Sequence, residues 1–295
     1  MCSETRQLTL PDGRRLAFDL HGPPAGRPIL LFHGTPSSRL GWYTFGSQLL
    51  AERLNIRVIA PDRPGLGLST FQPNRRIIDW PADVVALADA LRLDRFAVLG
   101  YSGGGPYALA CALAFPGRLT AAGILGGVGP YEPSAAASCV HPAVLLLLEL
   151  ARDRPRLAEW AFQLLAALAR HAPGSLIGQA MAILQGPDRQ ALAQPTIWQA
   201  VLGAYLEALR PGPRGVRQDA ALMVSPWGLD PRAVAMPVYL WHGEEDHFAS
   251  PCVVRHLVAA LPRVQARFYP GEGHVTLLLN YGASILDELA SGGPG

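Results

Sequence analysis

The sequence predicts an α/β protein with a mostly parallel sheet, and two observations carry that expectation. Over the first 130 residues, short apolar runs bounded by Gly or Pro alternate with longer Ala- and Leu-rich segments, the rhythm of strands and crossover helices in a parallel sheet. The same rhythm resumes near residue 236, after an interval with helix-like character and no convincing strand. Together these predict one core built from residues 1–130 and 236–295, interrupted by a helical insertion over 131–235, with a cleft between the two.

Taken in order, residues 5–10 and 14–20, joined by Pro11-Asp12-Gly13, read as an opening hairpin. Pro28–Phe32, Arg57–Ala60, Phe96–Leu99 and Ala121–Leu125 read as buried strands, with helices at about 38–53, 79–92 and 103–115 between them. The insertion carries AVLLLLELARDRPRLAEWAFQLLAALAR, SLIGQAMAILQ and TIWQAVLGAYLEALR, each helix-like. Beyond it come a strand at Pro237–Trp241, a helix near 251–261, a strand at Gln265–Tyr269 and a closing helix over about 275–289.

The 295 residues are 49% hydrophobic and 16% charged, a composition that buries well and lies far from that of disordered chains. Twenty-five basic and 23 acidic residues give a net charge of +2 without a long run of either sign, so neither a nucleic-acid groove nor a polybasic membrane patch is expected; the expected partner is a small-molecule substrate. Cys2, Cys111, Cys139 and Cys252 are far apart and lack CxxC spacing, which predicts neither a disulfide framework nor a zinc site and points to a reducing, cytoplasmic location. The N-terminus has no apolar signal core, and the Ala143–Leu148 run stops at Glu149, short of spanning length.

The chemistry is read first at Gly100-Tyr101-Ser102-Gly103-Gly104, which follows the apolar Phe96–Leu99 strand and precedes a helix-favouring segment. A serine between a strand and a helix must sit on a sharp turn, and flanking side chains there would strike neighbouring backbone, which is why glycines surround it. The turn raises the Ser102 hydroxyl above the sheet edge and sets the Gly103 amide at a helix N-terminus, placed to donate to a developing oxyanion.

A serine hydroxyl needs a histidine to take its proton and a carboxylate to hold that histidine's tautomer. Of eight histidines, His274 is selected: it follows the last strand in the Gly-flanked loop Pro270-Gly271-Glu272-Gly273-His274 and comes last in the chain. His242, His247 and His256 read as loop or surface residues. The acid is sought at the end of the preceding strand, where Asp246 is preferred over Glu244 and Glu245 because it follows a turn begun at Gly243 and precedes the helix opened by Pro251. Glu132, beyond the strand ending near Leu125, is the alternative position.

A second oxyanion donor is expected in Phe32-His33-Gly34-Thr35-Pro36, where a turn at Gly34 presents the Thr35 amide from a separate loop, with His33 as a buried support. Asp62-Arg63-Pro64-Gly65-Leu66-Gly67-Leu68-Ser69 lacks the spacing and lysine of a phosphate loop and reads as a tight structural loop beside the site. No metal-ligand pairing such as HExxH is present, and neither a metal nor a cofactor is expected.

HGTPSS, DRPGLGLS, GYSGGG, HGEEDHFASP and GEGH, in this order, resemble the α/β-hydrolase fold family. The resemblance covers the chain outside the insertion. It implies an eight-stranded, mostly parallel sheet flanked by helices, with a helical cap inserted after the sixth strand. It further implies Ser102, Asp246 and His274 as a catalytic triad and the Thr35 and Gly103 amides as the oxyanion hole. Relatives that are epoxide hydrolases or haloalkane dehalogenases carry aspartate at the turn; Ser102 implies an acyl-enzyme route instead. The function expected is hydrolysis of a small, largely apolar carboxylic ester or lactone. Carbon–carbon bond hydrolysis, cofactor-free perhydrolysis, acyl transfer on the same residues, or a non-catalytic receptor are the alternatives. The large apolar residues Trp160, Phe162, Met181, Trp198, Tyr205 and Trp227 suggest a hydrophobic substrate, though each singly reads as core.

Overall fold

The computed structural model describes residues 5–130, 139–174 and 186–293. Eight strands, β1 (Thr5–Thr9), β2 (Arg15–His21), β3 (Arg27–Phe32), β4 (Ile56–Pro61), β5 (Phe96–Tyr101), β6 (Leu119–Leu125), β7 (Val238–Gly243) and β8 (Val264–Tyr269), form one sheet in the order β1-β2-β4-β3-β5-β6-β7-β8. β2 runs antiparallel to both its neighbours, and every pairing from β4 to β8 is parallel.

Side chains alternate between the two faces of each strand, and that alternation divides the core. Leu30, Phe32, Val98, Ile124 and Leu240 face α2 (Trp80–Ala90), α3 (Gly105–Ala114) and α9 (Pro251–Ala260). Ile29, Leu31, Leu99, Leu125 and Trp241 face α1 (Gln48–Arg53) and α10 (His274–Ala290). Phe32 pairs in register with Gly100, Tyr101 with Leu125 and Leu125 with Trp241, so the loops after β3, β5, β6 and β7 all leave from one carboxyl edge. In an open parallel sheet that edge is where ligands bind.

Between β6 and β7 the described residues form α4 (Pro142–Asp153), α5 (Pro155–His171), α6 (Gly186–Leu192), α7 (Pro195–Ala208) and α8 (Pro213–Met223), followed by a 3₁₀ turn at Pro231–Ala233. The first long helix-like stretch divides at Arg154 because Pro155 cannot continue a helix through its own N-terminal turn. SLIGQAMAILQ, at 175–185, lies outside the described residues, as do Met181 and Glu132.

Three expectations need correction. The helix expected over 38–53 is a 3₁₀ turn, Arg39–Thr44, followed by α1, because Ser38 and Ser47 each start a new turn by accepting an amide hydrogen, from Leu40 and Leu50. His274 is not in the loop but is the first residue of α10. Cys139 and Cys252, 113 residues apart, form a disulfide that ties the start of the insertion to α9. Sequence spacing carries no signal for a pair that meets only through the fold. Among the described residues no helix is long and apolar enough to cross a membrane.

Candidate active site

β5 ends at Tyr101, and a single 3₁₀ turn, Ser102–Gly104, leads into α3. Ser102 has φ +53°, the left-handed region that costs a residue with a Cβ about 1 kcal/mol or more and that persists where the surroundings impose it. Here they do: a Cβ on Gly100 would lie 2.3 Å from the Gly104 carbonyl oxygen, and one on Gly104 would lie 2.2 Å from that of Phe32. The turn is thus pressed against the end of β3. The position of a Cβ on Gly103 is 2.6 Å from Thr35 Oγ1, and that on Gly34 is 3.6 Å from Ser102 Oγ, so the two loops expected to bear the oxyanion amides meet beside the serine.

Asp246 is buried in the turn after β7, while Glu244 and Glu245 are exposed. Asp246 Oδ1 accepts the amides of Phe248 at 2.9 Å and Ala249 at 2.8 Å, which leaves Oδ2 for His274 Nδ1 at 2.7 Å. The His274 ring lies between Tyr101 and Phe248, with centroids 5.0 and 5.4 Å away. Its Nε2 makes no hydrogen bond among the described residues, and His274 and Ser102 line the same cavity. Burial disfavours the imidazolium, but the charge and hydrogen bond of Asp246, with Asp188 adding to them, outweigh it and hold the His274 pKa above its ordinary value.

The other histidines separate by environment. His247 and His256 are exposed, as expected, but His242 is not a loop or surface residue: it is buried in β7, with Nε2 on the Ala249 carbonyl at 2.7 Å. Burial pushes its pKa down. Its sequence neighbourhood, next to Gly243, resembles a turn; pairing with β8 makes it a strand.

His33 is buried, and burial holds its pKa well below the ordinary value; Nδ1 meets the Gly34 carbonyl at 2.8 Å and Nε2 accepts the Arg63 amide at 3.3 Å. That pattern fixes one neutral tautomer and suits a support rather than a proton carrier. Arg63 also donates to the His33 carbonyl and, at 2.8 Å, to that of Gly34. Asp219 of α8 then holds Arg63, Arg75, Tyr107 and the Thr35 hydroxyl. Burial works against the Asp219 carboxylate, yet the Arg63 and Arg75 charges carry its pKa well below the ordinary value. Sequence alone did not point to this cluster, because its members are scattered from Thr35 to Asp219 without a common motif.

Another residue missed is Asp188 of α6. It is buried and accepts the amides of His274, Val275 and Thr276 at 2.7, 2.8 and 3.0 Å, capping the helix that begins with His274. An acidic residue in a polar stretch of the insertion gives no signal of such a partner.

The cavity is about 210 Å³, with apolar walls from Leu31, Trp42, Phe45, Leu192, Val201 and Phe248. Trp160, by contrast, is 73% exposed, Phe162 packs inside the insertion and Trp227 packs in the sheet core, so none of these three lines it. Arg39 reaches the wall but is held by Asp19 at 3.0 Å, Asp62 at 2.8 Å and Glu207 at 2.7 Å.

A family model described as alpha/beta hydrolase fold matches residues 27–281. A 2-hydroxy-6-oxo-2,4-heptadienoate hydrolase of Pseudomonas putida is 35% identical over 130 residues, 43% of this chain and 46% of that protein. A non-heme chloroperoxidase of Streptomyces lividans is 36% identical over 125 residues, 42% of this chain and 45% of that protein. The matches thus span a little under half the length of these curated relatives. Among solved structures, an esterase from a Rhodococcus species is 26% identical with a TM-score of 0.70, covering 97% of this chain and 98% of that one. The strand order, the serine turn and a family match over most of its length lead to one statement of kinship: the chain belongs to the α/β-hydrolase fold family.

Proposed function

We propose that the protein is a serine hydrolase that cleaves small, neutral, largely apolar carboxylic esters, lactones included, through an acyl-enzyme on Ser102. The observation that carries this reading is His274: Nδ1 is fixed on buried Asp246, and Nε2, without a hydrogen bond among the described residues, lies at a cavity shared with a serine in a left-handed turn. His274 takes the Ser102 proton as the hydroxyl attacks the carbonyl, and the Thr35 and Gly103 amides receive the oxyanion. His274 then protonates the leaving alkoxide, and water activated by the same ring releases the acid. Asp246 stays ionised, orienting the ring and stabilising its charged form.

The walls support a neutral substrate. Arg39, the arginine at the lining, already faces three carboxylates, so a substrate carboxylate there would meet net negative charge. This favours simple esters over acidic substrates such as dienoates. The helices over 131–235 act as the cap, contributing Leu192, Val201 and Ala204 to the wall.

A p-nitrophenyl ester series from acetate to decanoate tests the reading, beside a matching series of hemi-esters bearing a free carboxylate. Neutral esters should turn over, hemi-esters at least about tenfold less well, and Ser102→Ala should lose at least about 10³-fold in rate. Equal rates for wild type and Ser102→Ala would remove Ser102 from the mechanism. Product analysis by mass spectrometry separates hydrolysis from acyl transfer or perhydrolysis.

A further inference from the structure

We infer that Asp188 is a positioning residue through which the inserted helices hold His274 in its working orientation, so that the base is competent only when the insertion is docked. The inference rests on the proposed role of His274.

Both Asp188 carboxylate oxygens are engaged: Oδ2 by the His274 amide, Oδ1 by those of Val275 and Thr276. These are the first amides of α10, which no carbonyl of that helix can satisfy. The fit is close, since a Cβ on Gly273 would lie 2.5 Å from the Asp188 carboxylate. The same turn of α6 borders the acid's loop: a Cβ on Gly186 would lie 3.2 Å from Glu245 Oε2 and 3.8 Å from His247 Nε2. Ala191 and Leu192 of α6 pack on Val275, with Leu279 beside them. One short helix of the insertion therefore touches the base by its backbone and lies against the loop of its orienting acid.

Ionised Asp188 also favours the His274 imidazolium, adding to Asp246. The other groups facing that ring are His242, Tyr101 and Phe248, of which burial lowers the His242 pKa and raises that of Tyr101 well above its ordinary value. Asp188 and Asp246 are thus the two anionic partners of His274 on elements packed against it.

Asp188→Asn keeps the shape but turns an NH₂ toward amides, and Asp188→Ser keeps a helix-capping acceptor without charge. The histidine ring signals of the full chain, with His274→Gln to assign the resonance, give the midpoint for His274. Both variants should lower it by about half a pH unit or more. Labelling of Ser102 by a fluorophosphonate should slow about tenfold in Asp188→Asn and less in Asp188→Ser. Leu279→Ala, which loosens the same apolar contact, should lower thermal stability and leave the His274 midpoint in place. A wild-type midpoint in whichever Asp188 variant folds overturns the inference. Because that midpoint needs no substrate, a chain that never labels but shows the shift refutes the esterase reading and supports the Asp188 coupling.

Discussion

Asp219→Asn is the substitution that most directly tests the buried cluster behind the Thr35 loop. Oδ1 of Asp219 accepts from Arg63 Nε at 3.1 Å, Tyr107 OH at 2.9 Å and Arg75 Nη2, and Oδ2 accepts from Arg63 Nη2 at 2.7 Å and Thr35 Oγ1 at 2.5 Å. Arg63, Arg75 and Tyr107 are all buried, so an amide in place of the carboxylate leaves two guanidinium groups without their counter-ion and turns a donor toward donors. Removing one partner of such a buried pair costs about 3–5 kcal/mol. At about 2.1 cal/mol/K per residue, the 295 residues carry an unfolding entropy of about 0.6 kcal/mol/K, which makes that loss a fall of about 5–8 °C in Tm. The pH dependence has a definite sign. A carboxyl depressed in the folded state stabilises the fold above its unfolded pKa, near the ordinary 3.8, and the contribution is lost as pH falls through the lower folded value. The deficit of the Asn variant should stay constant between about pH 5 and about pH 8 and shrink only in strong acid. Urea unfolding followed by tryptophan fluorescence, repeated across that range, measures it. An Asn variant within about 1 kcal/mol of wild type at neutral pH would refute the reasoning.

Gly104→Ala, whose Cβ would lie 2.2 Å from the Phe32 carbonyl oxygen, should destabilise by about 3 kcal/mol, whereas Gly117→Ala, with nothing within 4 Å, should stay within about 0.5 kcal/mol of wild type; calorimetry on both decides. Because the base must be neutral and its pKa is raised, the acid limb of kcat/KM should lie above pH 6.5; Asp246→Asn leaves burial dominant, so the limb should move to lower pH while the rate falls about 10⁴-fold. Phe248 lines both the 210 Å³ cavity and a second apolar one of about 60 Å³ edged by Val128, Leu148 and Val253, so Phe248→Ala should join them and shift the ester preference toward longer chains; unchanged chain-length dependence would show that the ring is no partition. Thiol titration of the unfolded chain should find two more thiols after reduction than before it, and equal numbers would remove the Cys139–Cys252 pair.

The core was legible because its signals are local. A strand buried on both faces is a continuous apolar run, and the steric demands of the serine turn leave Gly100 and Gly104 in the sequence itself. Asp246 could be preferred over its neighbours from turn chemistry alone; in the structure it is buried while Glu244 and Glu245 are exposed. What was not legible depends on contacts between distant segments. Asp188 and Asp219 are acidic residues on inserted helices, where the ordinary reading is a solvent-facing side chain, and only the docking of those helices gives them partners. The disulfide failed for the same reason, and His242 because the extent of β7 is set by pairing with β8.

Those missed carboxylates also change how the insertion is understood. It reaches the core through Asp188 on the His274 helix, Asp219 on Arg63, Arg75 and Thr35, and Glu207 on Arg39, while the Ser38 hydroxyl donates to the Ala204 carbonyl at 3.0 Å. Lifting these helices as one body would break all the carboxylate ties together. At about 1.5–3 kcal/mol for each charged tie the cost is about 5–9 kcal/mol, a large part of the stability of a domain. A route into the cavity that leaves those ties intact is therefore strongly preferred. Phe248 offers one: the ring is 37% exposed, borders both cavities, and hangs from a turn whose amide is already held by Asp246. Were that side chain to rotate, the wall between the cavities would open beside His274 while the amides held by Asp246 and Asp188 stayed in place, so the chain-length dependence of Phe248→Ala is the measurement that bears on this route.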